Sequence, residues 1–202
     1  MKINEIFYSI QGEGKYMGTP VIFLRTQGCS LHCPWCDSAS TWKPGTADYD
    51  IKKLLPDLQR ASHGKANTIV ITGGEPTEQE DLYVIARQLR LEGFQLHLET
   101  NGTHYISAGY FNHVVCSPKP GNQYRVPGGQ IDELKFVIGK DDDVNKMING
   151  AVRDKWAGRI WLQPKADGSD IPPESVQACL KAAMQDPRLR VGVQLHKIIG
   201  VQ

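Results

Sequence analysis

The chain has 202 residues, 40% of them hydrophobic, and its 23 Lys and Arg nearly balance its 22 Asp and Glu. This length and composition predict one domain over residues 1–202 with a sizeable core. The balanced charge argues against nucleic acid or an anionic membrane surface as a partner. There is no N-terminal signal-like run and no apolar stretch of about 18 residues, so we expect a cytoplasmic protein that does not enter a membrane.

Apolar periodicity predicts β-strands that alternate with amphipathic α-helices along the chain. Pro56 falls inside the first helical pattern, which predicts that this helix starts late or kinks. Asp141, Asp142 and Asp143 suit the first turn of a later helix, because carboxylates favour the helix dipole there. Strands are predicted over residues 3–10, 21–26, 68–72, 95–99, 113–116, 134–138, 160–163 and 191–195, and helices over residues 51–58, 82–89, 144–151 and 176–183.

The alternation of strands and helices predicts a parallel sheet with helical crossovers. A closed eight-unit barrel typically takes about 250 residues, so this shorter chain is predicted to form an α/β, incomplete TIM-like barrel. In such folds the carboxyl ends of the strands form the active face. Polar clusters that follow predicted strands, and are therefore expected around one cavity, begin at Gly28, Gly73, Thr100, Ser117, Gln163 and Gln194.

Cys29, Cys33 and Cys36 lie close together with the spacing C-x3-C-x2-C. Closely spaced thiolates suit a soft metal, and iron–sulfur clusters are held by cysteine sulfur. A four-iron cluster with three cysteine ligands leaves one iron open to a chelating ligand, as catalytic zinc keeps a position open. The alternatives are a zinc knuckle or a disulfide with a spare thiol. Cys116 and Cys179 occupy apolar patterns typical of core residues.

The cysteine spacing resembles that of the radical S-adenosylmethionine (SAM) superfamily, whose members bind SAM at the fourth iron of a [4Fe-4S] cluster. Further segments resemble one family within it, the 7-carboxy-7-deazaguanine synthases (QueE). Its members convert 6-carboxy-5,6,7,8-tetrahydropterin to 7-carboxy-7-deazaguanine with loss of ammonia, in queuosine and deazapurine biosynthesis. They use SAM catalytically, require Mg²⁺ and are commonly homodimers. The matching segments are residues 11–14, 36–38, 41–42, 73–76, 99–102, 117–119 and 194–197.

The resemblance implies the residues that bind cofactors. Cys29, Cys33 and Cys36 would hold the cluster, and Ser38 would give Mg²⁺ the hydroxyl that threonine commonly supplies in the family, although Ser38 could simply cap a turn. Residues implied in SAM binding are Trp35, Asp37, Gly74, Glu75, Ser117, Pro118, Lys119 and Gln163.

For two of these residues the sequence leaves a second interpretation open. Glu75 could be an ordinary solvated loop acid, and Trp35 could be a hydrophobic plug. Gly74, with Gly73 before it, lacks a Cβ atom and would let a ligand approach the backbone closely.

Several residues suit the substrate of this family. A pterin presents adjacent N–H donors, and a carboxylate such as Glu13 accepts two of them in parallel. The resemblance adds the C-terminal carboxylate of Gln202. Arg25 suits the substrate carboxylate, with a structural ion pair as the alternative. The remaining predicted substrate residues are Gln11, Gly12, Thr72 and His196.

The resemblance also implies an external flavodoxin- or ferredoxin-like electron donor and a C-terminal tail that completes the active site. No residue is an obvious general acid or base, so none is assigned. Two other interpretations stay open: a radical SAM activase acting on a protein glycine, and a zinc-stabilised binding module. The activase shares the cysteine spacing and the Gly-Gly-Glu-Pro segment but leaves Gln-Gly-Glu-Gly and Arg25 unexplained.

Overall fold

The computed structural model describes residues 1–43, 48–148, 156, 158–168 and 170–202. The strands are β1 (Ile3–Ile10), β2 (Pro20–Thr26), β3 (Thr68–Gly73), β4 (Gln95–Thr100), β5 (His113–Cys116), β6 (Glu133–Ile138), β7 (Arg159–Pro164) and β8 (Leu189–Val191). The helices described are α1 (Ile51–Ser62), α2 (Leu82–Leu91), α3 (Val144–Met147), α4 (Pro173–Gln185) and α5 (Leu195–Ile199).

All eight strands form one sheet whose strand order follows the chain. Strands β2 to β8 are parallel, and β1 is antiparallel to β2. β1 and β8 are the two edges of an open sheet, which confirms the predicted incomplete barrel. Within the described ranges, no helix has the length and apolar character needed to cross a membrane.

Side chains alternate between the two faces of the sheet, as the strand geometry requires. In β4, Leu96 and Leu98 are fully buried in the apolar cluster that α1 and α2 cover. Glu99, between Leu98 and the end of the strand, instead lines a cavity on the inner face. The outer face of the sheet therefore forms the core, and the inner face is left for polar residues.

Helix α1 begins at Ile51 although Pro56 lies inside it, so the predicted late start is wrong. The Asp50 carboxylate accepts a hydrogen bond of 2.9 Å from the Lys53 N–H and caps the helix. Leu54 and Leu58 are fully buried against the sheet. The cap and the buried apolar face offset the intrahelical hydrogen bond that the proline cannot make.

The predicted strand over residues 191–195 is also wrong in its position. β8 ends at Val191, and Leu195 begins helix α5. The Leu195 N–H donates to the Gly12 carbonyl at 2.9 Å, so the chain leaves the sheet and packs on the loop after β1. In the helix predicted over residues 144–151, Asp143 is the N-cap of α3, and Ala151 lies outside the described residues.

The loop after β1 enters the fold from the amino end of the parallel strands. Because β1 is antiparallel, its last residue pairs with the first residue of β2. The Tyr16 ring, in this loop, lies 4.4 Å from the His97 ring and 4.9 Å from the His113 ring, measured between centroids. The Lys15 N–H donates to Glu133 at 3.1 Å. These contacts close the amino end of the barrel.

Stability should depend on pH through His97. Burial and the neighbouring His113 lower the pKa of His97 from 6.5 to about 4. Between these two pH values the unfolded chain binds more protons than the folded chain, so stability falls as the pH drops. From pH 7 to pH 5, we expect wild type to lose about 1–2 kcal/mol more than His97→Phe in urea unfolding.

The matched control for this measurement is His63→Asn. His63 is exposed and has a φ of 49°, which asparagine adopts readily. This control should show the same pH dependence as wild type. If His97→Phe also showed that dependence, the His97 assignment would be wrong.

Candidate active site

One cavity on the inner face opens at the carboxyl ends of the parallel strands and brings the predicted site residues together. Pro118 is the exception, since it is buried and does not line the cavity. The predicted residues that line the cavity are Gln11, Gly12, Glu13, Arg25, Cys29, Cys33, Trp35, Cys36, Asp37, Ser38, Thr72, Gly74, Glu75, Ser117, Lys119, Gln163, His196 and Gln202.

The three clustered cysteines carry free thiols and are half-buried at the cavity. Asn101 Nδ2 lies 3.9 Å from Cys29 Sγ. Burial raises the pKa of Cys29 and of Cys33, so both thiols hold their protons until a metal displaces them. Cys116 and Cys179 are fully buried outside the cavity, and burial raises the pKa of each to about 12, which confirms them as core residues.

The three cavity thiols match the ligand set of a [4Fe-4S] cluster. A zinc ion requires four ligand atoms at about 2.0–2.3 Å from one point. In the described part of the chain, no three His, Cys, Asp or Glu side chains converge closely enough to hold one metal ion. An iron–sulfur cluster instead takes each thiolate on a different iron. Three thiols, one for each of three irons, would leave the fourth iron of a [4Fe-4S] cluster open, whereas a structural zinc ion would need a fourth protein ligand.

The loop after β3 is held against the cysteine loop by main-chain contacts. The Gly74 N–H donates to the Thr26 carbonyl at 2.9 Å, and the Glu75 N–H donates to the Gly28 carbonyl at 2.8 Å. A Cβ on Gly74 would lie 1.9 Å from the Gly28 oxygen. The space that the sequence assigned to an approaching ligand is thus filled by the cysteine loop, and glycine is needed for this contact.

Glu75 is fully buried, so the interpretation as a solvated loop acid is wrong. Its carboxylate accepts hydrogen bonds from Thr100 Oγ1 at 2.5 Å and from the Asn101 N–H at 2.6 Å. The Thr77 N–H also donates to it at 3.0 Å. Burial raises the pKa of Glu75, although these hydrogen bonds favour the ionised form. Glu75 therefore joins the loops after β3 and β4.

Arg25 in β2 makes the ion pair that the alternative interpretation predicts and also faces the cavity. Its Nε lies 2.9 Å from Glu5 Oε1. Its Nη1 donates to Ser38 Oγ at 2.7 Å, and Ser38 Oγ lies 3.3 Å from Asp37 Oδ1. The Ser38 side chain makes no capping hydrogen bond to the short helical turn that follows it. Arg25 and Ser38 therefore form one polar group at the cavity.

Two lysines that line the cavity have a polar or an aromatic partner. Lys119 Nζ donates to Ser117 Oγ at 2.7 Å, and burial lowers the pKa of Lys119. Lys165 Nζ lies 5.2 Å from the centre of the Trp35 ring, in a cation–π contact. Trp35, which lies between Cys33 and Cys36 in the sequence, therefore packs against the Lys165 ammonium group.

Lys135 is missing from the predicted site residues, and Gln194 is predicted at the cavity without a role. Both bind Glu13. Lys135 Nζ contacts Glu13 Oε2, and Gln194 Nε2 donates to Glu13 Oε1 at 2.8 Å and to Asp37 Oδ2 at 3.2 Å. Burial opposes both charges, but mutual attraction lowers the pKa of Glu13 and raises the pKa of Lys135. A lone cation inside an apolar strand is the sequence signal for Lys135.

Glu99 also lines the cavity, and its carboxylate is absent from the predicted site residues. It accepts hydrogen bonds from Gln11 Nε2 at 3.0 Å and from Thr72 Oγ1 at 3.1 Å. Both donors are predicted substrate residues. Glu99 therefore orients two side chains that face the same space as Glu13.

The C-terminal residues reach the cavity by packing on β1 and the loop that follows it. A Cβ on Gly12 would lie 2.0 Å from His196 Nδ1, so the His196 ring rests on the Gly12 backbone. Ser9 Oγ donates to the Gln202 backbone oxygen at 2.5 Å, and Gln202 Nε2 donates to Glu5 Oε2 at 2.9 Å. These contacts hold the end of the chain at the cavity.

Comparisons with known proteins agree with this geometry. The Radical SAM superfamily matches residues 23–123. The chain is 34% identical over 204 residues to the 7-carboxy-7-deazaguanine synthase of Synechocystis sp., covering 99% of this chain and 93% of that protein. Its identity to the 7-carboxy-7-deazaguanine synthase of Bacteroides thetaiotaomicron is 33% over 205 residues, covering 100% and 98%.

A solved structure of the same family is similar over nearly the whole chain. The crystal structure of QueE from Escherichia coli superimposes with a TM-score of 0.68 at 27% identity, covering 96% of this chain and 93% of that chain. These similarities span the chain and include the three-cysteine loop, which confirms the resemblance seen in the sequence. The chain therefore belongs to the 7-carboxy-7-deazaguanine synthase family of the radical SAM superfamily.

Proposed function

We propose that this radical SAM enzyme converts 6-carboxy-5,6,7,8-tetrahydropterin to 7-carboxy-7-deazaguanine, with loss of ammonia, in deazapurine and queuosine biosynthesis. The observation that carries the proposal is one cavity that combines three free thiols with the Glu13 and Glu99 carboxylates and the Arg25 guanidinium. The thiols suit the cluster, and the remaining groups suit a carboxylated pterin. The names of the relatives support the same reaction.

Glu13 and Arg25 would make the main contacts to the substrate. Each Glu13 oxygen already accepts one hydrogen bond and keeps a second lone pair. The carboxylate can therefore still accept two parallel N–H bonds from the pyrimidine edge of the pterin. Arg25 would bind the substrate carboxylate. Gln11, Gly12, Thr72, His196 and Gln202 would complete the substrate site.

The cofactors would sit beside the substrate. Cys29, Cys33 and Cys36 would hold the [4Fe-4S] cluster, which together with SAM supplies a radical able to take hydrogen from C6 of the pterin. The chain itself binds and orients the reactants and keeps water from them. An external flavodoxin- or ferredoxin-like protein would supply the electron, and two copies of the chain would form a homodimer. Trp35, Asp37, Glu75, Ser117, Lys119 and Gln163, which line the cavity, would hold SAM, and Gly74 and Pro118 would shape the loops that carry them.

A product assay tests this function. Anaerobically reconstituted protein with reductant, SAM, Mg²⁺ and the carboxypterin should yield 7-carboxy-7-deazaguanine in mass spectrometry, with many turnovers per SAM. No product from protein that has an intact cluster and binds SAM would exclude the synthase and favour an activase. One equivalent of zinc and no iron in freshly purified protein would favour the zinc-stabilised module instead.

A magnesium site is proposed at Ser38. Mg²⁺ takes oxygen ligands and usually keeps several waters. The Ser38 hydroxyl supplies such an oxygen at the cavity, 3.3 Å from Asp37 Oδ1. The remaining ligands would come from water and the substrate carboxylate.

Replacing Ser38 by Ala should raise the Mg²⁺ concentration that gives half-maximal activity about 10-fold, since one neutral oxygen ligand is lost. SAM binding should not change. Ser38→Thr keeps the hydroxyl on a stiffer side chain and should show the wild-type Mg²⁺ response. The control is Ser40→Ala, at an exposed position two residues on. Identical Mg²⁺ titrations for wild type and Ser38→Ala would remove Ser38 from the metal site.

A further inference from the structure

We propose that Lys135 is a positioning residue that holds Glu13 ionised and oriented to accept the pyrimidine edge of the substrate. This inference rests on the proposed function and adds to it a residue that acts through Glu13. Lys135 is not proposed to touch the reacting atoms. Its role is to keep the Glu13 carboxylate, which would touch the substrate, ionised and oriented.

The fold directs Lys135 to the inner face of the sheet. Its neighbours in β6, Leu134 and Phe136, are fully buried in the apolar cluster on the outer face. Alternation along the strand therefore turns Lys135 toward the cavity that it lines. The side chains of Lys135 and Glu13 are only 17% and 13% exposed, so water screens their attraction weakly.

Glu13 needs such a partner because of where it lies. It sits in the loop that enters from the amino end of the barrel, and its N–H donates to Gln11 Oε1 at 3.1 Å. Burial without a cation would favour the protonated carboxyl. A protonated carboxyl carries an O–H donor on one oxygen, which would face an N–H donor of the pterin. The Lys135 ammonium prevents this mismatch.

The other groups near Glu13 do not replace Lys135. Asp37 is an anion, and its charge opposes ionisation of Glu13. Gln194 is neutral and binds the opposite carboxylate oxygen. Lys197 Nζ lies 3.7 Å from Asp37 Oδ2 and pairs with that carboxylate. His196, near Glu13, has its pKa lowered by burial and is neutral at pH 7.

A double-mutant cycle tests the proposal in cluster-loaded protein. Lys135→Met keeps most of the side-chain length and removes the charge. The dissociation constant of the carboxypterin is then measured by calorimetry with SAM bound. We expect a rise of about 10-fold in the wild-type background, the size of one hydrogen bond to a charged group. In the Glu13→Gln background the same change should alter binding by less than about 2-fold.

Turnover gives a second measure. Lys135→Met should raise KM about 10-fold and change kcat by less than about 3-fold, as expected when ground-state binding is lost. Lys135→Arg keeps the charge and should bind substrate within about 3-fold of wild type. Lys140→Met, at an exposed position just after β6, is the matched control and should behave as wild type.

Three outcomes would overturn the proposal. Wild-type binding by Lys135→Met would show that Glu13 does not need the cation. An equal loss in both backgrounds would mean that Lys135 acts without Glu13. Lys135→Arg binding about 10-fold more weakly than wild type would exclude the charge as the cause, and this comparison with wild type stands even if Lys135→Met does not fold. Failure of wild type to turn over the carboxypterin would instead reject the proposed function.

Discussion

The Gly74→Ala variant is expected to fold but to bind little iron and to lose at least about 100-fold of its activity, because small displacements of reacting groups cost this much. The added methyl would lie 1.9 Å from the Gly28 oxygen and 2.6 Å from the Gly28 carbonyl carbon. Main-chain atoms cannot rotate away as a side chain can. The hydrogen bond from the Glu75 N–H to Gly28, 2.8 Å long, must therefore break.

Loss of this hydrogen bond should displace the cysteine loop, because Gly28 directly precedes Cys29. Iron content and cluster absorbance after anaerobic reconstitution measure whether the cysteine loop still binds the cluster. Circular dichroism measures whether the variant is folded. Gly139→Ala is the control because a Cβ there would first meet the Asp142 carboxylate at 3.3 Å, at the end of a movable side chain. Full cluster loading in Gly74→Ala would show that the two loops do not depend on this contact.

Replacement of Cys33 by Ser should abolish cluster binding and lower turnover by at least about 1,000-fold, because the radical chemistry belongs to the cofactors. A serine hydroxyl is a harder ligand than a thiolate and holds iron of a cluster poorly. Only two of the three cavity thiols would remain. Iron and sulfide per chain, together with turnover of the carboxypterin, measure the effect.

The control for this variant is Cys116→Ala, which removes a thiol that lies outside the cavity. Cys116 is fully buried, so its loss should cost on the order of 1 kcal/mol of stability. Cluster loading and turnover should stay at the wild-type level. A Cys33→Ser protein with full iron content, or a Cys116→Ala protein without it, would show that the cluster uses a different set of cysteines.

Local pattern was sufficient for most elements of the fold. The strand pattern before Gly73 and the helical spacing after Leu82 were correct because their apolar faces are buried on the outer side of the sheet. The end of the chain was misassigned, since alternating apolar residues around Leu195 resemble a strand. Leu195 forms a helix instead because it docks on Gly12, which is distant in sequence.

The direction of β1 had a sequence signal that the prediction did not use. A parallel crossover takes about a dozen or more residues, and residues 11–19 are too few to provide one. The antiparallel strand sends Glu13 into the cavity from the end opposite to the cysteines. The rule that active-site residues follow the carboxyl ends of parallel strands does not apply to Glu13, because its loop lies at their amino ends.

Motif chemistry read from the chain was enough to identify the three thiols, the loops after the parallel strands and the family. These are local features, because spacing and turn residues act over a few positions. The pairing of Lys135 with Glu13 and the filling of the space beside Gly74 by Gly28 depend on segments far apart in sequence. Such contacts arise only when strand direction and alternation set which side chains share the inner face, and so folding decides them.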